Sequence, residues 1–294
     1  MTLLPPLIVS RIIILATLIF YICSSLRHAF FYSTGFDLGI YDQVVYLISQ
    51  GESPISSFLG YHHLGNHAAW AVYPLGLFYM IYPDVHWLLL LQAVCLALGS
   101  WPTWCLARLA GLNQGQAVAI AISYLLYPVI FNLNLFDFHP EVMALPAILG
   151  AILAARLKRL FWFCIAIIWV LGCKAVLSLT VVFIGFWLLA FEKRKSYGLI
   201  ALFLGILWFI VVTQGIIPFF SGEEVAGVGR YNYLGDSVVG IIINILLQPG
   251  AVLGKILSWE TIKYIFLLFL PVIWGIFPLL QKNQPVLPNL IPLI

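Results

Sequence analysis

Charge is what this sequence has least of. Asp, Glu, Lys and Arg make up 9% of its 294 residues, where a soluble domain carries roughly a quarter. With a mean hydropathy of +1.06, that shortage excludes a soluble globular protein. Cysteine is sparse and poorly spaced. Cys23, Cys95, Cys105, Cys164 and Cys173 form an odd set with no C-x-x-C pair, which argues against a disulfide framework or a zinc ribbon. The sequence has no glycine-rich phosphate loop, no G-x-S-x-G elbow and no H-E-x-x-H. It shows no internal repeat and no low-complexity tract. Nucleic acid is not an expected partner, because the net charge of +3 follows from basic residues at membrane anchors.

What the sequence has is apolar length. Runs of about 20 residues match a hydrocarbon core of roughly 30 Å, and without water the backbone there must be helical. The reading is an all-α, polytopic integral membrane protein, with residues 1–294 forming one transmembrane domain. Spans are predicted at 7–26, 87–109, 116–133, 142–157, 197–217 and 264–280, with a weaker segment at 238–257. The first has Arg11 near its start and no small-residue cleavage site, so it reads as a retained anchor. The run 161–191 is too long for one crossing, and Lys174 near its middle predicts two short helices meeting in a turn. The total is about eight helices. Residues 67–82, broken by Pro74, read as a re-entrant or interfacial segment.

Charge sidedness orients the chain. With the N-terminus in the cytoplasm, the inner loops hold Arg11, Arg108, Arg156, Lys158, Arg159, Lys193, Arg194, Lys195 and Lys282, as the positive-inside rule requires. Every acid except Glu192 and every histidine then falls outside. The expected location is the cell membrane, with outer loops at about 27–67 and about 219–258 facing the periplasm or exterior.

Four outer constellations stand out. The first holds Asp37 and Asp42 around an expected helix at 40–49, with Asp37 as either an N-cap or a site residue and Asp42 as either solvated or functional. The second holds His63 and His67, whose i, i+4 spacing offers two metal ligands if the segment is helical and polar interface residues if it is a loop. In the third, Pro140 and Glu141 suit a helix start. Asp137 and His139 beside them have no such structural explanation and point to a site. The fourth is basic: Lys174 snorkels, or with Arg230 binds a phosphate, whose charge two isolated cations would balance.

Phe36-Asp37-Leu38-Gly39-Ile40-Tyr41-Asp42-Gln43, Asn66-His67, Phe136-Asp137-Phe138-His139-Pro140-Glu141 and Arg230-Tyr231-Asn232-Tyr233-Leu234-Gly235-Asp236-Ser237 occur in this order. Together they resemble the prokaryotic membrane family called domain of unknown function 2079. That family is similar in turn to the GT-C glycosyltransferases, which take sugars from polyprenyl-phosphate donors on the outer face. The resemblance implies a GT-C-like fold, Asp37 as general base, and Asp42, Asp137, His139, Glu141, Lys174, Arg230 and Tyr231 as substrate-binding residues. It implies membrane lipids and a polyprenyl-phosphate sugar as partners. A divalent metal is a further option, with His63 and His67 as its ligands. Two departures are visible. The lysine of the paired short helices is usually followed by Glu-Asp in the family, and here by Ala175-Val176. The chain also stops at 287–294, where the family continues, so the resemblance implies a truncated copy. A non-catalytic or decayed paralogue and a small-molecule or ion transporter are the alternatives.

Overall fold

The computed structural model describes residues 4–223 and 226–276. Among these the chain is helical, with one isolated bridge between Ile55 and His62 and no strand. Helix α1 (Leu7–Ala29) leads into α2 (Asp37–Ser49) and the short α3 (Leu64–His67). A 3-10 stretch, Trp70–Leu75, runs into α4 (Gly76–Ile81). Next come α5 (His86–Leu98) and α6 (Ser100–Leu109), then α7 (Gln114–Leu125), α8 (Pro128–Leu135) and α9 (Glu141–Arg156). The paired helices α10 (Leu160–Cys173) and α11 (Leu177–Ala190) follow. Helix α12 (Lys195–Val211) passes through a π-helical turn, Val212–Ile216, into α13 (Ile217–Ser221). The described chain closes with α14 (Val238–Leu247), α15 (Pro249–Ile256) and α16 (Trp259–Phe269).

Among the described residues three runs are long and apolar enough to cross a membrane: Leu7–Ala29, His86–Leu109 and Lys195–Ser221. Counting the bent pairs α7–α8 (42°) and α14–α15 (92°) as one span each raises the number to five. The all-helical expectation holds for the described residues, but the expected count of about eight transmembrane helices does not: the length test gives three to five spans. The shortfall has a physical source. The 16 residues of α9 rise about 24 Å, and the 14 of α10 and of α11 about 21 Å each. The predicted span at 264–280 begins inside α16 and lies partly outside the described residues.

The turn expected at Lys174 is present. Its backbone is extended (φ −164°, ψ 141°), which ends α10, and α11 starts at Leu177. Helices α11 and α12 pack through glycines. A Cβ on Gly185 would lie 2.7 Å from the Leu202 nitrogen and 2.8 Å from the Gly198 carbonyl. One on Gly205 would lie 2.9 Å from the Ser178 carbonyl. Gly198 and Gly205, two turns apart, therefore let the backbones approach as small residues do in membrane helix pairs.

The ends of the bundle are chemically distinct. Val9 of α1 clusters with Trp104, Cys105 and Ala107 of α6, and Leu153 of α9 packs on them. This places Arg11, Arg108 and Arg156 at one end. Arg156 donates to Glu192 from Nε (3.0 Å) and Nη2 (2.7 Å), drawing in the loop before α12 and its Lys193 and Arg194. Glu141 and Lys174 therefore lie at the opposite end of α9, α10 and α11. Arg11, Arg108 and Arg156 are thus separated from Glu141 and Lys174 along the packed helices.

Candidate functional site

The site is built where α1 hands over to α2. Arg27, in the last turn of α1, places Nη1 2.6 Å from Asp137 Oδ1. Asp137 sits in the α8–α9 loop with its side chain 1% exposed. Its other oxygen accepts from the backbone N–H of Thr34 (2.7 Å) and from the Thr34 hydroxyl (2.7 Å). Burial pulls the Asp137 pKa up, but the Thr34 bonds and the Arg27 guanidinium outweigh it and hold the carboxyl below its usual range. Asp137 is thus a fully engaged anion that staples the first loop to the bundle.

Asp37 is the contrasting carboxylate. Helix α2 begins at Asp37, three residues before the expected start, so Asp37 occupies the first turn and is not the cap. Thr34 takes the capping role instead, its hydroxyl accepting from the Asp37 N–H at 3.3 Å. Asp37 Oδ2 lies 3.2 Å from the same hydroxyl. A hydroxyl has one proton, and the shorter contact to Asp137 takes it. The remaining neighbour is His139, whose Nε2 lies 3.7 Å from Asp37 Oδ1. The ring of His139 is turned that way because its Nδ1 is 2.8 Å from the Asp137 carbonyl. Asp37 therefore faces an imidazole and the Thr34 hydroxyl oxygen, and no guanidinium or ammonium of the described residues stands against it.

Glu141 opens α9 behind Pro140, where an acid suits the helix dipole. Lys174 Nζ reaches it from the α10–α11 break at 2.5 Å, and the second carboxylate oxygen, Oε2, is buried without a partner. The His67 carbonyl accepts from the Ala175 N–H at 2.9 Å, which fixes the break against α3. Trp70, which opens the 3-10 stretch after α3, presses on Gly172, so that a Cβ there would lie 2.3 Å from the indole.

Tyr41 joins these pieces. One helical turn after Asp37 and on its face, it packs edge-on against Phe138 (5.6 Å), His139 (5.8 Å) and His63 (5.8 Å). Burial and the nearby Glu141 and Asp37 carboxylates push its phenol pKa upward. Burial likewise lowers His63 and His67 to about 4, with Lys174 adding to the effect on His67.

The structure thus gathers Asp37, Asp137, His139, Glu141 and Lys174 at one end of the bundle, with His67 against the Lys174 break. Asp42 is not among them. It lies about 140° around α2 from Asp37 and accepts from the Tyr79 hydroxyl at 2.6 Å. Arg230 and Tyr231 are exposed on the 3-10 stretch Ala226–Tyr231, with no side-chain hydrogen bond or ion pair among the described residues. For the metal option, no three His, Cys, Asp or Glu of the described residues group to hold an ion, and His63 Nε2 lies 3.2 Å from the Ala69 carbonyl, which leaves Nδ1 as its one nitrogen for a ligand. Sequence reading missed Arg27, Thr34 and Tyr41. For Tyr41 the signal was available, since it follows Asp37 at i+4. Arg27 and Thr34 carried none, because their partner lies more than a hundred residues away.

A second layer holds the α8–α9 loop. Gln92, buried in α5, donates from Nε2 to the carbonyls of Leu133 (3.3 Å), Asn134 (3.0 Å) and Phe136 (3.1 Å). These are the orphan acceptors at the end of α8. Asn134 in turn donates to the Phe20 carbonyl at 2.9 Å, which ties the loop to α1.

The chain belongs to the family described as Predicted membrane protein (DUF2079), whose model matches residues 27–294. No curated protein and no solved structure matches it.

Proposed function

We propose that this member of the DUF2079 family is a membrane glycosyltransferase of GT-C type, taking a sugar from a polyprenyl-phosphate donor. The observation that carries the reading is the unequal treatment of two adjacent carboxylates. Asp137 is buried, ion-paired and spent on structure, whereas Asp37 meets no lysine or arginine among the described residues and stands beside an oriented imidazole. A group held this way suits proton acceptance.

In this scheme Asp37 takes the proton of an acceptor hydroxyl as its oxygen attacks the anomeric carbon. The bond from that carbon to the donor phosphate breaks on the opposite face, inverting the centre, and polyprenyl phosphate leaves. Lys174 meets the charge that grows on the phosphate. It already holds an anion, Glu141, so the step exchanges one anionic partner for another. Asp137, Arg27 and Thr34 fix the loop that aims Asp37, and Tyr41 and His139 wall the sugar side. Arg230 and Tyr231, on an exposed stretch of the later loop, are the proposed second contact to the phosphate, and Asp42 supports α2 through Tyr79. The cluster faces the periplasm or exterior, as the basic residues at the other end favour under the positive-inside rule.

The test is transfer by the reconstituted protein from a panel of labelled polyprenyl-phosphate sugars. Asp37→Asn should lower turnover by about 10²–10⁴-fold while donor binding persists. Unchanged transfer in that variant sinks the base assignment. No binding of any donor by the unaltered protein sinks the reading as a whole.

A further inference from the structure

A concavity lies outside this cluster, between α1 and the α4–α5 turn. It is a groove of about 460 Å³ lined by Tyr21, Tyr82, Asp84, His86, Trp87 and Leu90. Its chemistry is unlike that of the first site: three aromatic rings, one carboxylate, one imidazole, and no lysine or arginine in the lining. The walls are held in place. Trp87 Nε1 donates to the Tyr82 carbonyl at 3.1 Å, and its ring stacks on Phe78 at 5.3 Å. The His86 ring meets Tyr21 edge-on at 6.4 Å and His28 at 5.8 Å. Asp84 Oδ1 accepts from the His86 N–H (2.8 Å) and Nδ1 (2.7 Å), and the Asp84 side chain stays 36% exposed. The His86 N–H, working against burial, holds the Asp84 carboxyl below its usual range, so it is charged at neutral pH.

Ring faces with an ionised carboxylate between them complement a cation and repel an anion. Tyr21 belongs to α1, a helix of membrane-spanning length, where its neighbours Leu18 and Ile22 are 52% and 53% exposed. A ligand with a polar head in the groove and an apolar tail along these residues would suit both surfaces. We infer that this groove is a binding site for the ammonium headgroup of an aminophospholipid, with the ammonium against Asp84 and the Tyr21, Tyr82 and Trp87 rings. The inference is independent of the glycosyltransferase reading.

The full chain, placed in nanodiscs holding equal amounts of phosphatidylethanolamine and phosphatidylglycerol, tests this by the lipid it retains when extracted for native mass spectrometry. We expect phosphatidylethanolamine to be retained over phosphatidylglycerol by about tenfold, the ratio that about 1.4 kcal/mol of selective contact provides. Asp84→Asn should bring the ratio close to one. Tyr82→Leu, which leaves the carbonyl that holds Trp87, should lower it severalfold and serves if Asp84→Asn fails to fold. Equal retention of both lipids by the unaltered protein overturns the inference, as does a preference that survives both substitutions. Displacement of the retained lipid by soluble sugars but not by ethanolamine phosphate also overturns it, and makes the groove a carbohydrate site.

Discussion

Arg27→Met isolates the staple beneath the candidate site. The substitution keeps the apolar stem and removes the guanidinium that lies 2.6 Å from Asp137. Removing one partner of a fully buried pair costs about 3–5 kcal/mol. Here Arg27 is 24% exposed, and Asp137 keeps two bonds from Thr34, so about 2–3 kcal/mol is expected. Asp137→Asn in the same background should recover much of that loss, since an amide needs no counter-charge. The pH dependence gives a second readout. The folded-state pKa of Asp137 lies below its unfolded value, so its contribution is present above that unfolded value and is lost as pH falls through the folded one. Without Arg27 the folded value rises, and protonation relieves the buried charge in mild acid. The gap between Arg27→Met and the unaltered protein should therefore narrow as the pH drops from about 7 toward about 4. Unfolding by SDS titration from detergent micelles measures the double-mutant cycle at each pH. A cost under about 0.5 kcal/mol that stays constant across this range would refute the account of Asp137 as a buried, charge-compensated staple.

Three further outcomes follow from the same geometry. Lys174→Met leaves Glu141, already with one unpartnered buried oxygen, without its cation. It should cost about 2–4 kcal/mol, with partial recovery in Lys174→Met/Glu141→Gln, read in the same SDS titration. Gly172→Ala forces a methyl into the Trp70 indole and should destabilise by about 1–3 kcal/mol; Trp70→Leu in the same chain should return part of it, and additive losses would show that the contact is not the cause. His63 and His67 are depressed to about 4 in the folded state, so the unfolded chain binds more protons between that value and the ordinary histidine range. Stability should fall as pH is lowered through this window, and His67→Gln should flatten the slope in thermal unfolding.

Membership of a helical membrane class was legible from composition alone, because apolar length and scarce charge leave the backbone no other solution in lipid. The break at Lys174 was legible for a local reason: one charge inside a run too long for a single crossing. The start of α9 at Pro140 and Glu141 was legible in the same way, since helix-end chemistry resides in adjacent residues. The sorting of the acids was not. Asp37 and Asp137 look alike in sequence, and both stand beside aromatic residues at the edge of a span. Only packing brings Arg27 and Thr34 to Asp137 and leaves Asp37 without a lysine or arginine among the described residues, because those contacts join residues more than a hundred positions apart. Packing likewise separates Asp42 from its motif partner and commits it to Tyr79. Periodicity determined which residues share a helix. Which carboxylate is buried, paired or free depends on the charges and hydroxyls that other helices bring to it, and the tertiary structure decided that.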